Sequence, residues 1–154
     1  MQKTTAEYRA GLFDGEGSVT FVIQRYGPDT HKYMPRSWEA AIRPMLSMGN
    51  TQLELLELMK DAYGGRIVKN KKLPGRKQCW TWTLRKAPDI QAACADLVKH
   101  SIGKVQRIGI MLVMIRTYRR DRGVKPLTMD ERRIRRQCYH QIRSLNVRGD
   151  GVYR

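Results

Sequence analysis

Apolar and polar positions follow two periods along this chain, and the points where one gives way to the other mark its elements. Thr4-Thr5-Ala6-Glu7 fits a capping box with Thr4 as N-cap and Glu7 at N3. It opens a helix running to about Glu16, which Gly15 and Gly17 end. Val19, Phe21 and Ile23 then alternate with Thr20, Val22 and Gln24, predicting a strand with one buried face. Residues 26–35, with Gly27-Pro28-Asp29, read as a long hairpin loop. Trp38, Ala40 and Ile42 alternate with Glu39, Ala41 and Arg43, a second strand running towards Met48. Thr51-Gln52-Leu53-Glu54 is a second capping box, opening a helix that carries Leu55, Leu56 and Met59 and stops at Gly64-Gly65. A third strand from Arg66 to Lys72 places Val68 and Asn70 on one face, with Ile67, Lys69 and Lys71 on the other. Pro74-Gly75 makes the turn into a fourth strand, with Trp80, Trp82 and Leu84 inward and Thr81, Thr83 and Arg85 outward.

After Pro88 the period becomes helical, over Ile90 to Val98 and again from Lys104 to about Arg119. Thr128-Met129-Asp130-Glu131 is a third capping box, and Ile134, Cys138 and Ile142 line one face of a last helix. The order α-β-β-α-β-β-α-α with a terminal basic helix predicts an α+β fold: a four-stranded antiparallel sheet with helices packed on one face. Residues 1–125 are expected to form the core, and 126–154 a basic helix and tail of the same domain. No internal repeat is visible. On the first helix Gly11 and Gly15 are four residues apart and share a face. Each costs roughly 1 kcal/mol against alanine, which makes sense where another backbone must approach closely.

Charge changes the picture. Thirty Lys and Arg against fourteen Asp and Glu give the 154 residues a formal charge of +16 and a pI near 10.3. Self-repulsion on that scale is tolerated when a polyanion supplies the counter-charge, so nucleic acid is the expected partner. No apolar run approaches the roughly 18 residues of a spanning helix, and the N-terminus lacks a signal-peptide core. A soluble, intracellular protein is expected, in the cytoplasm or nucleoid of a prokaryote or in an organelle, with no membrane partner. Cys79, Cys94 and Cys138 are odd in number and far apart, and His31, His100 and His140 are equally scattered. Neither a disulfide frame nor a zinc site follows. Any metal ligands must be carboxylates.

With the apolar faces of two hairpins turned to the helices, the opposite face carries Gln24, Arg43, Lys69, Lys71 and Arg85, together with Thr81 and Thr83, and Arg76 and Lys77 sit at a hairpin tip. A hydrogen-bonding, charged ribbon of this kind lies in a major groove and reads base edges, while its cations displace counterions from phosphates. Between Arg116 and Arg154 lie twelve basic residues against four acidic ones. They cluster at Arg132-Arg133-Ile134-Arg135-Arg136, so Arg132 and Arg136 are expected to contact backbone phosphates without specifying sequence. Gly149-Asp150-Gly151 reads as a flexible end.

Arg9-Ala10-Gly11-Leu12-Phe13-Asp14-Gly15-Glu16-Gly17 resembles the motif that names the LAGLIDADG homing endonucleases. It departs at the first position, where Arg9 replaces an apolar residue, and at the eighth, where Glu16 replaces the commoner Asp. The α-β-β-α-β-β-α order over about residues 4 to 120 is similar to that family, as are Gly64-Gly65-Arg66-Ile67 and Lys104-Val105-Gln106. The resemblance implies a site-specific double-strand DNA endonuclease acting at a long pseudo-palindromic site. A single motif implies the homodimeric branch, in which motif helices of two subunits pack through small residues, here Gly11 and Gly15 with Tyr8 alongside. The runner-up on the same scaffold is a non-cleaving RNA-binding intron maturase, and a degenerate DNA-binding regulator is a third reading.

The resemblance further implies that the motif's last acid binds Mg²⁺, or Mn²⁺ or Ca²⁺ in its place. That acid is Glu16, with the Gly15 carbonyl as a second ligand. Helix C-termini carry partial negative charge and bare carbonyls, which agrees. Asp14 is two positions away, about 200° around a helix, so it is expected to be structural. Lys104 is the basic residue that the family places at the start of the later helix, to steady the transition-state charge. A polar residue is expected at the end of the second strand. Gln52, Ser47 and Asn50 are the alternatives, because Met48 falls on or near the expected position.

Overall fold

A computed structural model describes residues 4–24, 37–118 and 126–147. Its helices are α1 (Ala6–Glu16), α2 (Leu53–Tyr63), α3 (Ala87–Leu97), α4 (Val105–Ile115) and α5 (Met129–Leu145). Strands β1 (Gly17–Ile23) and β2 (Ile42–Asn50) follow α1, and β3 (Arg66–Lys69) and β4 (Trp80–Leu84) follow α2. The four strands form one antiparallel sheet in the order β1-β2-β4-β3. The fold class is therefore α+β, with the expected element order. The expected loop at 26–35, His31, Arg119 and the tail from 148 lie outside the described residues.

Register follows from burial, because a slip of one residue would turn every apolar side chain to the other face. Met48 stands opposite both Gly17 and Trp82, and Leu46 opposite Val19 and Leu84. These join Ala10 and Phe13 of α1, Leu56 and Met59 of α2, Leu97 of α3, Met111 of α4 and Ile142 of α5 in one core. All five helices thus share one side of the sheet. No described helix is long and apolar enough to cross a membrane.

Gly64 and Gly65 end α2 with φ of 79° and 92°, a backbone that L side chains rarely adopt. A Cβ on Gly65 would also lie 2.5 Å from the Thr83 carbonyl oxygen. The close passage lets the buried Trp82 indole donate from Nε1 to the Gly64 carbonyl at 2.8 Å, satisfying a polar group inside the core.

Local details depart from the sequence reading. Thr5, not Thr4, caps α1, its hydroxyl accepting from the Tyr8 amide at 3.2 Å. Thr4 is taken by Arg9, whose guanidinium donates to its carbonyl and hydroxyl. Gln52 caps α2 without a side-chain bond, and its own amide donates to Asn50 Oδ1 at 2.9 Å. The ladder of β3 ends at Lys69 rather than Lys72, and just beyond it the Asn70 amide still donates to the Cys79 carbonyl at 3.0 Å, while the Gln78 side chain donates to the Asn70 and Cys79 carbonyls. Helix α4 ends at Ile115, short of Arg119, as the Thr117 hydroxyl bonds back to the Met114 carbonyl. At α5 the capping box of Thr128 and Glu131 forms as read.

The segment Trp38–Ala41 is a short 3-10 turn, not the start of β2. The reason is Glu39, which is 1% exposed. A lone carboxylate cannot be buried in a strand face without a partner. The turn instead brings it to α5, where Arg136 meets Oε1 at 3.0 Å and Arg132 approaches Oε2 at 3.5 Å. Arg135, buried between them, donates to the Glu39 carbonyl, to the Thr117 hydroxyl at 2.8 Å and to the Thr117 carbonyl at 2.9 Å. Its guanidinium stacks 4.0 Å from the Tyr118 ring centre. The basic helix is therefore fastened by its own arginines, with Cys138 and Ile142 in the common core.

Candidate metal centre and nucleic-acid interface

Helix α1 buries Ala10 and Phe13 and leaves an opposite face open. Tyr8 is 49% exposed, and Gly11 and Gly15 are exposed as well. A Cβ at either glycine would meet nothing within 4 Å. Among the described residues, then, no backbone approaches this face, and none of their packing requires glycine there. Arg9, which breaks the motif at its first position, points into the subunit. It pairs with Asp96 of α3 at 3.0 Å and donates to the Tyr63 hydroxyl of α2 at 3.0 Å. Tyr63 in turn donates to Asp96, and burial helps push its hydroxyl up to about 12. The departure locks α1 to the two helices beneath it.

The helix stops at Glu16, where the Gly17 backbone turns extended and leaves no room for a side chain. A Cβ on Gly17 would fall 2.3 Å from the Phe13 ring, which lies over the chain as it enters β1. The Gly17 amide donates to the Phe13 carbonyl, and Gly17 pairs with Met48 across the sheet. Helix thus becomes strand with no intervening loop, and Glu16 is held at the seam with its side chain exposed.

Asp14 takes the opposite course. Its carboxylate accepts from the Ser101 hydroxyl and from the amides of Ile102 at 2.7 Å, Gly103 at 3.1 Å and Lys104 at 3.2 Å. Burial works to raise its pKa, but these bonds outweigh it and hold the carboxyl below the usual range. The two acids of the motif diverge, as the helical geometry required. The Lys104 ammonium donates to the Asp14 carbonyl. Burial lowers the Lys104 pKa, opposed by the charges of Asp14 and Glu16 and assisted by Arg107, so the lysine stands within the field of both acids.

Among the described residues no three His, Cys, Asp or Glu side chains gather in one place. Cys94 and Cys138 are buried and unpaired, and burial drives the Cys94 thiol up to about 12. What one chain offers a cation is the exposed Glu16 carboxylate and the Gly15 carbonyl, one of the last four of α1 that have no intrahelical donor. These are hard oxygen donors at the negative end of a helix, a set that suits Mg²⁺, Mn²⁺ or Ca²⁺. Of the alternatives for a neighbouring polar group, Ser47 lies on the open sheet face, opposite Ser18 and Thr83. Met48 is 1% exposed in the core. Asn50 is engaged with the Gln52 amide, and Gln52 is exposed at the start of α2.

The open sheet face is defined by the partners of these residues. Val22 pairs with Arg43, Ser47 with Thr83 and Arg66 with Thr83. Thr81, Thr83 and Arg43 therefore lie there as expected, and Arg43 donates to Gln24 at 2.9 Å, just beyond β1. Lys69 does not: it pairs with Trp80, on the side of Trp82 and the helices. Lys71 follows the end of the ladder, and Arg76 and Lys77 are exposed about the Gly75 turn. Arg66 was missed by sequence reasoning, since only its pairing with Thr83 shows its side. Arg66, Thr81, Thr83 and Arg85 line a depression of about 470 Å³ on this face. Arg132 and Arg136, expected at backbone phosphates, pair with Glu39, while their side chains stay 39% and 52% exposed.

No family sequence model matches the chain, and no curated protein matches it by sequence. Solved structures do. The archaeal intron-encoded homing endonuclease I-Vdi141I, solved in complex with DNA, superposes with a TM-score of 0.67 at 14% identity over 97% of this chain and 88% of its own. The homing endonuclease I-TnaI gives 0.61 at 14% identity over 92% and 99%. The LAGLIDADG homing endonuclease I-GzeII, in complex with its DNA target, gives 0.60 at 14% identity, where this chain spans 46% of that one. The fold of this chain is that of the LAGLIDADG homing endonucleases.

Proposed function

We propose that this protein is a site-specific, divalent-metal-dependent DNA endonuclease that acts as a homodimer, hydrolysing one strand per subunit. The observation that carries the reading is the exposed Glu16 at the seam of α1 and β1, two residues beyond the Asp14 that holds Lys104, on a helix whose face is open at Tyr8, Gly11 and Gly15. Two copies of α1 meeting through those glycines would bring two Glu16 carboxylates together and make the two sheets one continuous saddle. Glu16 and the Gly15 carbonyl would hold the ion. A divalent ion so held supplies Lewis-acid stabilisation to the scissile phosphate. The Lys104 ammonium, partly desolvated, offsets negative charge that develops on the phosphate oxygens. Ser47 or Gln52 orders solvent beside them.

The sheet's open face supplies specificity. Thr81, Thr83 and Arg66 present hydrogen-bonding groups to base edges, while Arg85, and Arg76 and Lys77 at the hairpin tip, meet backbone phosphates. The neighbours solved with DNA support this reading, and I-CvuI was solved on DNA targets in the presence of Mg and of Ca. The test is a cleavage selection on a randomised DNA library with Mg²⁺, comparing wild type with Glu16→Gln. Enrichment of one pseudo-palindromic site by wild type alone is expected. Equal cutting by the variant contradicts the mechanism. A wild type that cuts no DNA but binds intron RNA tightly points instead to the maturase reading.

A further inference from the structure

We infer that Asp14 is the positioning residue for Lys104, and that the turn at 101–104 is held to the end of α1 so that the lysine keeps one place relative to Glu16. The inference rests on the nuclease reading of the site. Asp14 grips Lys104 from two directions. Its carboxylate accepts the Lys104 amide at 3.2 Å, and its carbonyl accepts the Lys104 ammonium. The same carboxylate takes the Ile102 and Gly103 amides at 2.7 and 3.1 Å and the Ser101 hydroxyl. Ser101 Oγ itself accepts the Lys104 amide at 3.3 Å, closing the ring.

This density of bonding is not what the turn's own packing would supply. Ile102 is 88% exposed, so its side chain contributes almost nothing to holding the turn. Lys104 is also the N-cap of α4 and has no side-chain cap hydrogen bond, so the amides that lead into that helix, Ile102 to Lys104, are taken by a carboxylate from a different element. A long lysine side chain loses considerable freedom when fixed, and fixing both its backbone and its ammonium is what a charge-stabilising role needs. Motif spacing supplies the link. Two residues along α1 separate the acid that holds the lysine from the acid that faces the open site, so one helix end sets the geometry of both.

The experiment is a double-mutant cycle on single-turnover cleavage of the selected site in Mg²⁺, with Asp14→Asn, Lys104→Ala and the pair. Asp14→Asn should slow cleavage about tenfold to a hundredfold while DNA affinity stays within about threefold. The double variant should be no slower than Lys104→Ala alone, because a residue acting only through Lys104 has nothing left to position. Rate losses that multiply overturn the inference while leaving the nuclease reading intact. A wild type that cuts no DNA overturns both. Ser101→Ala, a smaller change, guards against misfolding of Asp14→Asn and should show the same dependence on Lys104 at lower amplitude. Amide hydrogen exchange gives a readout independent of cleavage: the Ile102, Gly103 and Lys104 amides should be protected in wild type and exchange at least about tenfold faster in Asp14→Asn. Unprotected amides in wild type overturn the inference as well.

Discussion

Two glutamates in this molecule face opposite fates, and the contrast separates what holds the fold from what the proposed reaction would use. Glu39 lies at the foot of α5, buried, with Arg136 at 3.0 Å and Arg132 at 3.5 Å from its two oxygens. Glu16 lies at the end of α1, exposed, in the same charge field as Lys104. A buried carboxylate whose partners come from its own chain is spent on structure, because its desolvation is tolerable only while those arginines stay. An exposed carboxylate at the negative end of a helix stabilises nothing by itself. It is available to a cation, and a cation at that place is what the proposed phosphodiester hydrolysis would need. The same contrast divides the arginines. The cluster that looked most like a phosphate-binding face is partly used to bury Glu39, whereas Arg66 sits on the open sheet.

The comparison can be broken at several points. Glu16→Gln should lower Mg²⁺-dependent cleavage by about a thousandfold or more. Thermal unfolding should be unchanged, and DNA binding by gel shift should stay within about tenfold. Glu39→Gln should do the reverse, destabilising the fold by about 3 kcal/mol in urea titration. Acid adds a second measure. Burial raises the Glu39 pKa, but the pull of its own backbone, Arg136, Ser37 and Arg132 prevails and leaves it below the ordinary 4.5. A depressed carboxylate contributes stability that is present above that ordinary value and lost as pH falls through the folded one. Wild type should therefore lose stability below about pH 4.5, and Glu39→Gln should lose less over that window. Equal acid sensitivity of the two proteins would show that Glu39 is not the fastening.

Gly11→Leu tests the bare face of α1. A Cβ at Gly11 meets nothing within 4 Å among the described residues, so the fold should survive. In a symmetric interface the overpacking occurs twice, at about 1–3 kcal/mol each, so sedimentation should show a dimer weakened about a hundredfold. An unchanged oligomer would remove α1 from the interface. The smallest effect belongs to single sheet cations. Arg85→Ala should weaken DNA binding by about tenfold and reduce the slope of log K against log salt by about 1. An unaltered slope would take Arg85 away from phosphate.

The element order was legible because the apolar period changes sharply at glycines and caps, and the sheet's inward positions Val19, Leu46, Trp82 and Leu84 alternate as strands should. The divergence of Asp14 from Glu16 was legible too, since helical rotation alone separates them. What misled was long-range. Thr51 looked like a cap, yet Asn50 holds the Gln52 amide. Glu39 alternated like a strand residue because periodicity cannot show that arginines about a hundred positions later will bury it. Lys69 was placed on the wrong side because its face depends on pairing with Trp80 across a turn.

By itself the sequence determined the helix and strand periods, the strong positive charge, and the motif that puts one acid at a helix end followed by glycine. Those are local properties, fixed by backbone sterics and side-chain spacing within a few residues. Tertiary structure alone decided which cations are consumed by partners and which stay on an open face, and that Asp14 reaches across to the turn before α4. Burial and ion pairing depend on what folds back from far along the chain, and no local pattern contains that.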